Sequence, residues 1–424
     1  MSLKQDNALV TGSNKLQSLI KNAAAKVDWK CVTTVLIAFI ITRTMIVVIT
    51  YLSMAEIPLR DYPLLPRYNP RNIIADGLIR WDSDNYIRTA ESGYNTSNLQ
   101  ATAFFPLYSI LINLTSKITG NIWTSGLWVS NISFLIALFY LYALAKKEFD
   151  EGVASRAVFY ISVTPTAFFF STVYNESVYL LLIIACFYYA RDGKWIPAAI
   201  AGSLASATRL QGVFAGVIIL LEALWLQGFR FFPKPWGLKN QQVQIKNDIF
   251  LIPKAWKGIA AAIFSLSGLF VYMIHLKSKV GDPLAFLHIT NNFWGKGISV
   301  DWLPRLIQFI VDQHHEIGNV FSGEISGFQY LPDLVITVLL LPIIVIVFLK
   351  FRPSYGIFAV LSYLIPLMSG QTVSMMRYVL PIIPVYFLFA MWGKRQWIDR
   401  LIIGVSLPLQ AFFLILFSHW WYAG

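Results

Sequence analysis

Charge is what this sequence has least of. Only 13% of its 424 residues are Asp, Glu, Lys or Arg, against 56% that are hydrophobic; soluble domains carry roughly 25% charged residues. So much apolar surface in one chain cannot be hidden in a single aqueous core. That excludes an ordinary soluble enzyme and makes the bilayer the solvent. Cysteine is scarce as well. Cys31 opens the first long apolar run and Cys186 lies inside a later one, so both read as small apolar fillers rather than a disulfide or a metal pair. Of the five histidines only His314 and His315 are neighbours, which leaves no zinc-like spacing. No repeat of fixed period and no low-complexity stretch occurs. A net charge of +12 is met by the excess of Lys and Arg that membrane proteins keep in cytoplasmic loops, so no nucleic-acid partner is implied.

What the sequence has in abundance is apolar runs. A spanning helix needs about 20 mostly apolar residues. Runs at 32–53, 121–145, 157–174, 177–190, 196–208, 213–226, 259–276, 330–349, 354–370, 379–392 and 401–422 give about eleven transmembrane helices. Residues 196–226 read as two short spans or as one bent helix. Residues 1–31 are polar and basic (Lys4, Lys15, Lys21, Lys26, Lys30) and are expected to be a cytoplasmic N-terminal segment ahead of an uncleaved signal anchor. Residues 32–424 then form a single transmembrane domain.

The flanking charges orient these spans. With the N-terminus inside, the cytoplasmic loops hold Lys146, Lys147 and Arg156, then Arg191 and Lys194, then 227–258 with six bases against Asp248, then Lys350 with Arg352, and finally Lys394, Arg395 and Arg400. Inverting the latter half would put the Lys394–Arg400 cluster outside, which favours two short spans in 196–226. Two long loops remain on the non-cytoplasmic side, 54–120 and 277–329. Within the first, residues 104–118 suggest a short amphipathic or re-entrant helix.

The loop beginning at residue 54 is dense in charge (Arg60, Asp61, Arg67, Arg71, Asp76, Arg80, Asp82, Asp84, Arg88, Glu91), aromatics and prolines. A disordered linker lacks aromatics and prolines stiffen a chain, so this loop is expected to be structured and functional. At its centre stands Arg80-Trp81-Asp82-Ser83-Asp84-Asn85-Tyr86. If a helix starts here, Asp82 or Ser83 could be its cap and the acids plain first-turn carboxylates. Helical spacing places Asp82 and Tyr86 on one face and turns Asp84 away, which points to one catalytic acid. Two further polar points fall on the same side. Glu176 sits in Tyr174-Asn175-Glu176-Ser177, and Arg209 and Arg377 interrupt apolar segments. The arginines either pair with Glu176 or bind phosphate, whose oxygens match the guanidinium fork. Arg43, inside the first span, faces the same choice.

These stretches carry a resemblance. Arg80 to Tyr86, Ala90-Glu91-Ser92-Gly93-Tyr94, Ala103-Phe104-Phe105-Pro106-Leu107-Tyr108, Thr164-Pro165 through Ser177, Ala207-Thr208-Arg209, Gly281-Asp282-Pro283-Leu284-Ala285-Phe286 and Met376-Arg377-Tyr378 resemble, in this order, the PIG-V-like glycosyltransferases. The resemblance implies an all-α, polytopic GT-C fold whose first non-cytoplasmic loop carries the catalytic acid. It implies an inverting transfer of a sugar, mannose by family, from a polyprenyl- or dolichyl-phosphate donor to a lipid-linked or glycan acceptor, without cofactor or metal. Asp82 carries over as the catalytic acid; Trp81, Asp84, Tyr86, Glu176, Arg209 and Arg377 carry over as substrate-binding residues. A multi-pass protein of a bacterial or archaeal plasma membrane, active on its non-cytoplasmic face, is expected. The competing class is a transporter or flippase of lipid-linked sugars, whose buried charges would line a pathway.

Overall fold

The computed structural model describes residues 28–59, 72–229, 253–321 and 330–423. The loop residues Arg60, Asp61, Arg67 and Arg71, the lysines ahead of Asp28, and the bases of the 227–258 loop from Arg230 to Lys246 lie outside them. The described residues are almost entirely helical, with no strand among them. In chain order the helices are α1 (Trp29–Glu56), α2 (Ile73–Leu78), α3 (Ser83–Ser92), α4 (Pro106–Thr119), α5 (Ile122–Glu148), α6 (Glu151–Val163), α7 (Glu176–Arg191), α8 (Trp195–Ser206) and α9 (Phe214–Leu226). The second half adds α10 (Trp256–Phe264), α11 (Ser267–Val280), α12 (Ala285–Asn292), α13 (Trp302–Phe321), α14 (Leu331–Lys350), α15 (Pro353–Leu367), α16 (Met375–Tyr378), α17 (Ile383–Trp392) and α18 (Gln396–Ser418).

Among the described residues five helical stretches are long and apolar enough to cross a membrane: α1, α5, Pro253–Val280 (α10 with α11), α14 and α18. The apolar helices α8, α9, α15 and α17 are shorter. At 1.5 Å per residue the 12 residues of α8 reach only about 18 Å, well short of the ~30 Å hydrocarbon core. Ile37, Ile40 and Ile41 of α1 and Val338 and Leu339 of α14 each leave more than half of their surface uncovered. Water would penalise apolar faces of this extent, whereas lipid does not.

Residues 196–226 form two antiparallel helices, not one bent one. A Cβ placed on Gly258, in α10, would lie 2.2 Å from Ala223 near the end of α9 and 3.4 Å from Trp195 at the start of α8. The start of α8 and the end of α9 are therefore neighbours. The apolar run at 157–174 is also interrupted. Helix α6 ends at Val163, before Pro165, and a 3₁₀ turn follows over Ala167–Ser171. Proline cannot continue the ladder, and the carbonyls it strands need other donors. Arg43 supplies them, donating to Ser171 Oγ at 2.8 Å and to the carbonyls of Ser162 and Ala167 at 3.4 and 3.5 Å, with its guanidinium over the Phe134 ring. Its role is to stitch this break, not to bind substrate.

At one end of the bundle the expected cytoplasmic bases gather into ion pairs. Lys30 bonds Glu151 at 2.6 Å and Lys146 bonds Asp28 at 2.8 Å, tying together the starts of α1 and α6 and the end of α5. Deeper in, Glu222 accepts both Nη1 contacts of Arg191 at 2.8 and 2.9 Å, a Ser354 hydroxyl bond and a contact from Arg352 at 3.4 Å; Arg191 also pairs with Glu148. This knot joins α5, α7, α9 and α15. Glu222 is buried, so Glu222→Ala, which strands two guanidiniums, is expected to destabilise the protein by about 3–5 kcal/mol. Thermal unfolding in detergent, compared with Glu222→Gln, measures this.

Candidate active site

Helices α3, α7, α9, α14, α16 and α18 bring their opposite ends, or the loops beside them, to a cavity of about 860 Å³. Asp82 occupies the N-cap of α3, but its side chain makes no capping bond. That leaves the carboxylate free to point elsewhere, and it meets Arg377 Nη1 at 2.7 Å. The aim is set by a rigid floor. Arg80 is fully buried; it pairs with Asp76 at 3.0 Å, donates to the Ser418 carbonyl at 2.9 Å and stacks on Trp420. The Tyr174 hydroxyl donates to the Arg80 carbonyl and accepts from the Asp82 amide, both at 3.2 Å. Between them Trp81 is held at φ +55°, a left-handed conformation that a bulky residue adopts only when its surroundings impose it. Its ring packs edge-on against Trp420 and Tyr422.

The second carboxylate is Glu176, the first residue of α7, where the helix dipole favours negative charge. Its Oε1 lies 3.5 Å from both Arg209 Nη1 and Arg377 Nε. Oε2 is buried with no hydrogen-bond partner among the described residues, so one carboxylate oxygen remains for a ligand hydroxyl. Asn175 donates to the Thr208 carbonyl at 2.8 Å, which holds the Glu176 and Arg209 turns side by side. Arg209 also bonds Gln211 at 2.9 Å and lies between the rings of Tyr179 and Tyr378. Burial works against the Arg377 charge, yet the facing Asp82 and Glu176 hold its pKa well above the ordinary arginine value.

The residues singled out from the sequence thus line one cavity, with unequal placements. Asp82, Glu176, Arg209 and Arg377 form one connected ion-pair set. Asp84 turns away and pairs with Arg88 at 2.6 Å. Tyr86 is mostly wall, packed edge-on against Phe104 and Tyr108. Trp81 is packing with one cavity-facing side. Two further residues carry little local signal. Asp333, buried in the first turn of α14, accepts the Ser374 and Met376 amides, both at 2.8 Å; its acid inside an apolar run was the one visible hint. Lys296 comes from the second long loop and donates to Ser374 Oγ at 3.1 Å.

Residues 25–225 match the family model for mannosyltransferase (PIG-V). The match takes in just under half of the chain and covers Asp82, Glu176 and Arg209 but not Arg377. No curated protein matches the chain. Among solved structures, the apo oligosaccharyltransferase of Archaeoglobus fulgidus is similar over 94% of this chain at 13% identity and a TM-score of 0.44. This chain corresponds to only 57% of that protein's length. ArnT from Cupriavidus metallidurans bound to undecaprenyl phosphate is similar over 90% of this chain and 75% of its own, at 12% identity and a TM-score of 0.45.

Asp333 fixes the turn that presents Arg377. Ser374 sits at φ +69°, outside the helical range, and the Asp333 carboxylate clamps both of its flanks. An Asn there loses one acceptor. Asp333→Asn is expected to lower turnover about 10²-fold, the usual consequence of roughly 1 Å of misplacement, in a protein that still melts cooperatively. Unchanged turnover would reduce Asp333 to packing.

Proposed function

We propose that the protein transfers a sugar, mannose by family, from a polyprenyl-phosphate donor to a lipid-linked or glycan acceptor, with inversion at the anomeric carbon. The observation that carries this reading is the convergence of Asp82, Glu176, Arg209 and Arg377 on one large cavity at the end of an apolar bundle. The donor's tail lies among apolar helices, its phosphate meets the arginines, and its reactive carbon stands near Asp82.

In the reaction the acceptor O–H oxygen attacks the anomeric carbon while Asp82 takes the proton. The new C–O bond forms as the bond to the phosphate oxygen breaks, and the electron pair leaves with the lipid phosphate from the opposite face. No covalent sugar–enzyme intermediate is required. Arg377 links the two events. Before transfer it is held by Asp82; once the proton neutralises that carboxylate, the guanidinium is released toward the charge growing on the phosphate, with Arg209 beside it. Glu176 orients both arginines, and its free oxygen suits a sugar hydroxyl. These guanidinium groups supply the positive charge in this scheme, without a metal.

A non-cytoplasmic site in a prokaryotic plasma membrane completes the proposal. Supporting that orientation, Lys30, Lys146, Lys147, Arg191, Lys194 and Arg352 gather at the end of the bundle away from the cavity, as the positive-inside rule demands. The test is sugar transfer by purified protein in lipid nanodiscs, with polyprenyl-phosphate mannose and glucose offered separately beside membrane lipids. Asp82→Asn is expected to lose about 10²–10⁴-fold in rate without loss of folding, while Asp84→Asn stays within about tenfold, as a rim ion pair warrants. Equal turnover of wild type and Asp82→Asn would remove Asp82 as the base. A folded wild type that never consumes donor would return the transporter reading.

A further inference from the structure

We infer that Lys296 seats the phosphate of the donor and of the departing lipid, beside Arg209 and Tyr378; the inference rests on the glycosyl-transfer reading of the same cavity. The first observation is one of charge. The cavity is lined by four cations, Arg88, Arg209, Lys296 and Arg377, and by three carboxylates, Asp82, Asp84 and Glu176. Arg88 is paired with Asp84, Arg209 with Glu176, and Arg377 with both Asp82 and Glu176. Lys296 has no carboxylate within ion-pair distance among the described residues. The nearby Asp333 is committed to the Ser374 and Met376 amides. Among the groups lining the cavity Lys296 is therefore the cation with no carboxylate in contact, its charge offset only at longer range by Asp333, and a half-buried ammonium so placed favours binding an anion.

The second observation is one of placement. The chain carrying Lys296 is docked, not trailing. The Ser299 amide donates to the Met368 carbonyl at 2.9 Å and Gln371 donates to the Gly295 carbonyl at 3.2 Å. Gly370 makes the close approach possible: it has φ +79°, and a Cβ there would stand 2.5 Å from Arg305 Cβ. Lys296 donates to Ser374 Oγ at 3.1 Å and to the Val373 carbonyl at 3.3 Å. An ammonium has three donors, so one is left for a ligand. The Tyr378 ring is the hub of the arrangement, with Lys296 Nζ and the Arg209 guanidinium each 5.4 Å from its centre and the Arg377 guanidinium 5.9 Å away. Burial pushes the Tyr378 phenol up, but Lys296, Arg377 and Arg209 together bring it below its usual value, a sign of strong positive potential at this point.

The third observation is chemical. A polyprenyl-phosphate sugar is a phosphodiester with one negative charge; on departure the lipid phosphate keeps the electron pair of the broken bond and becomes a monoester with a second charge. Arg377 is bound to Asp82 until the proton arrives. Lys296 is free of any such tie in the resting site. It can hold the phosphate from the start and gain strength as the second charge appears.

The test uses the full chain in nanodiscs and compares binding of polyprenyl phosphate with binding of the uncharged polyprenol of equal length, by native mass spectrometry. Wild type is expected to prefer the phosphate. Lys296→Met and Lys296→Gln are expected to weaken phosphate binding about 10- to 100-fold, the usual weight of a charge-assisted hydrogen bond. They should leave polyprenol binding and melting temperature unchanged, and raise the KM for the sugar donor. Lys296→Arg should restore most of the preference. If the Met and Gln variants bind phosphate as tightly as wild type, Lys296 is not the seat and the glycosyl-transfer reading stands without it. If wild type itself makes no distinction between phosphate and alcohol, that reading and the inference fail together.

Discussion

The ion pair between Asp82 and Arg377 joins residues 295 positions apart in the chain, at 2.7 Å. Much of the surrounding structure can be understood as holding its two halves. On one side, fully buried Arg80 and the Tyr174 hydroxyl set the entry into α3, and Trp81 is driven into a left-handed conformation so that Asp82 reaches the cavity rather than capping its own helix. On the other, Asp333 fixes a one-turn helix, α16, whose purpose is to present Arg377. Each half is over-determined by buried hydrogen bonds, which is how a strained backbone persists at a site. A carboxylate held ready beside a cation suits a reaction in which a proton arrives and a negative charge departs.

The bundle separates stability from chemistry by its two ends. At the basic end, Arg191 and Glu222 are buried and pair with each other, with the partly covered Arg352 beside them. At the other end the charges line a space large enough for a sugar phosphate. The same physical device, a carboxylate between two guanidiniums, occurs at both. At the basic end Glu222 has its oxygens bonded by Arg191 and Ser354, whereas at the cavity end Glu176 keeps one oxygen without a partner. That difference in satisfaction distinguishes a structural clamp from a site waiting for a ligand.

The apolar runs made the all-helical, membrane-embedded class legible, because burial in lipid leaves a compositional mark on every spanning residue. The starts and stops were less legible. The run at 157–174 is broken at Pro165, and the carbonyls freed there find Arg43 on a helix more than a hundred residues earlier; hydropathy averages over such a break. The count of eleven spans is a reading of the sequence; among the described residues five stretches meet the length and hydropathy needed to cross, and the other apolar helices are shorter.

The site divided in the same way. Trp81-Asp82, Glu176, Arg209 and Arg377 stood out because polar residues inside or beside apolar segments need a reason to be there, and the helical period set Asp84, which pairs with Arg88, apart from Asp82. Lys296 and Asp333 did not stand out. A lysine in a polar loop looks like any other solvated base, and its lack of a carboxylate partner is a property of three-dimensional neighbours. The sequence by itself determined the solvent of this protein and the chemical types that line its cavity, because these follow from composition and local period. Only the tertiary structure decided which carboxylate faces which arginine and which cation is left over, because pairing depends on distances between segments that the chain order does not encode.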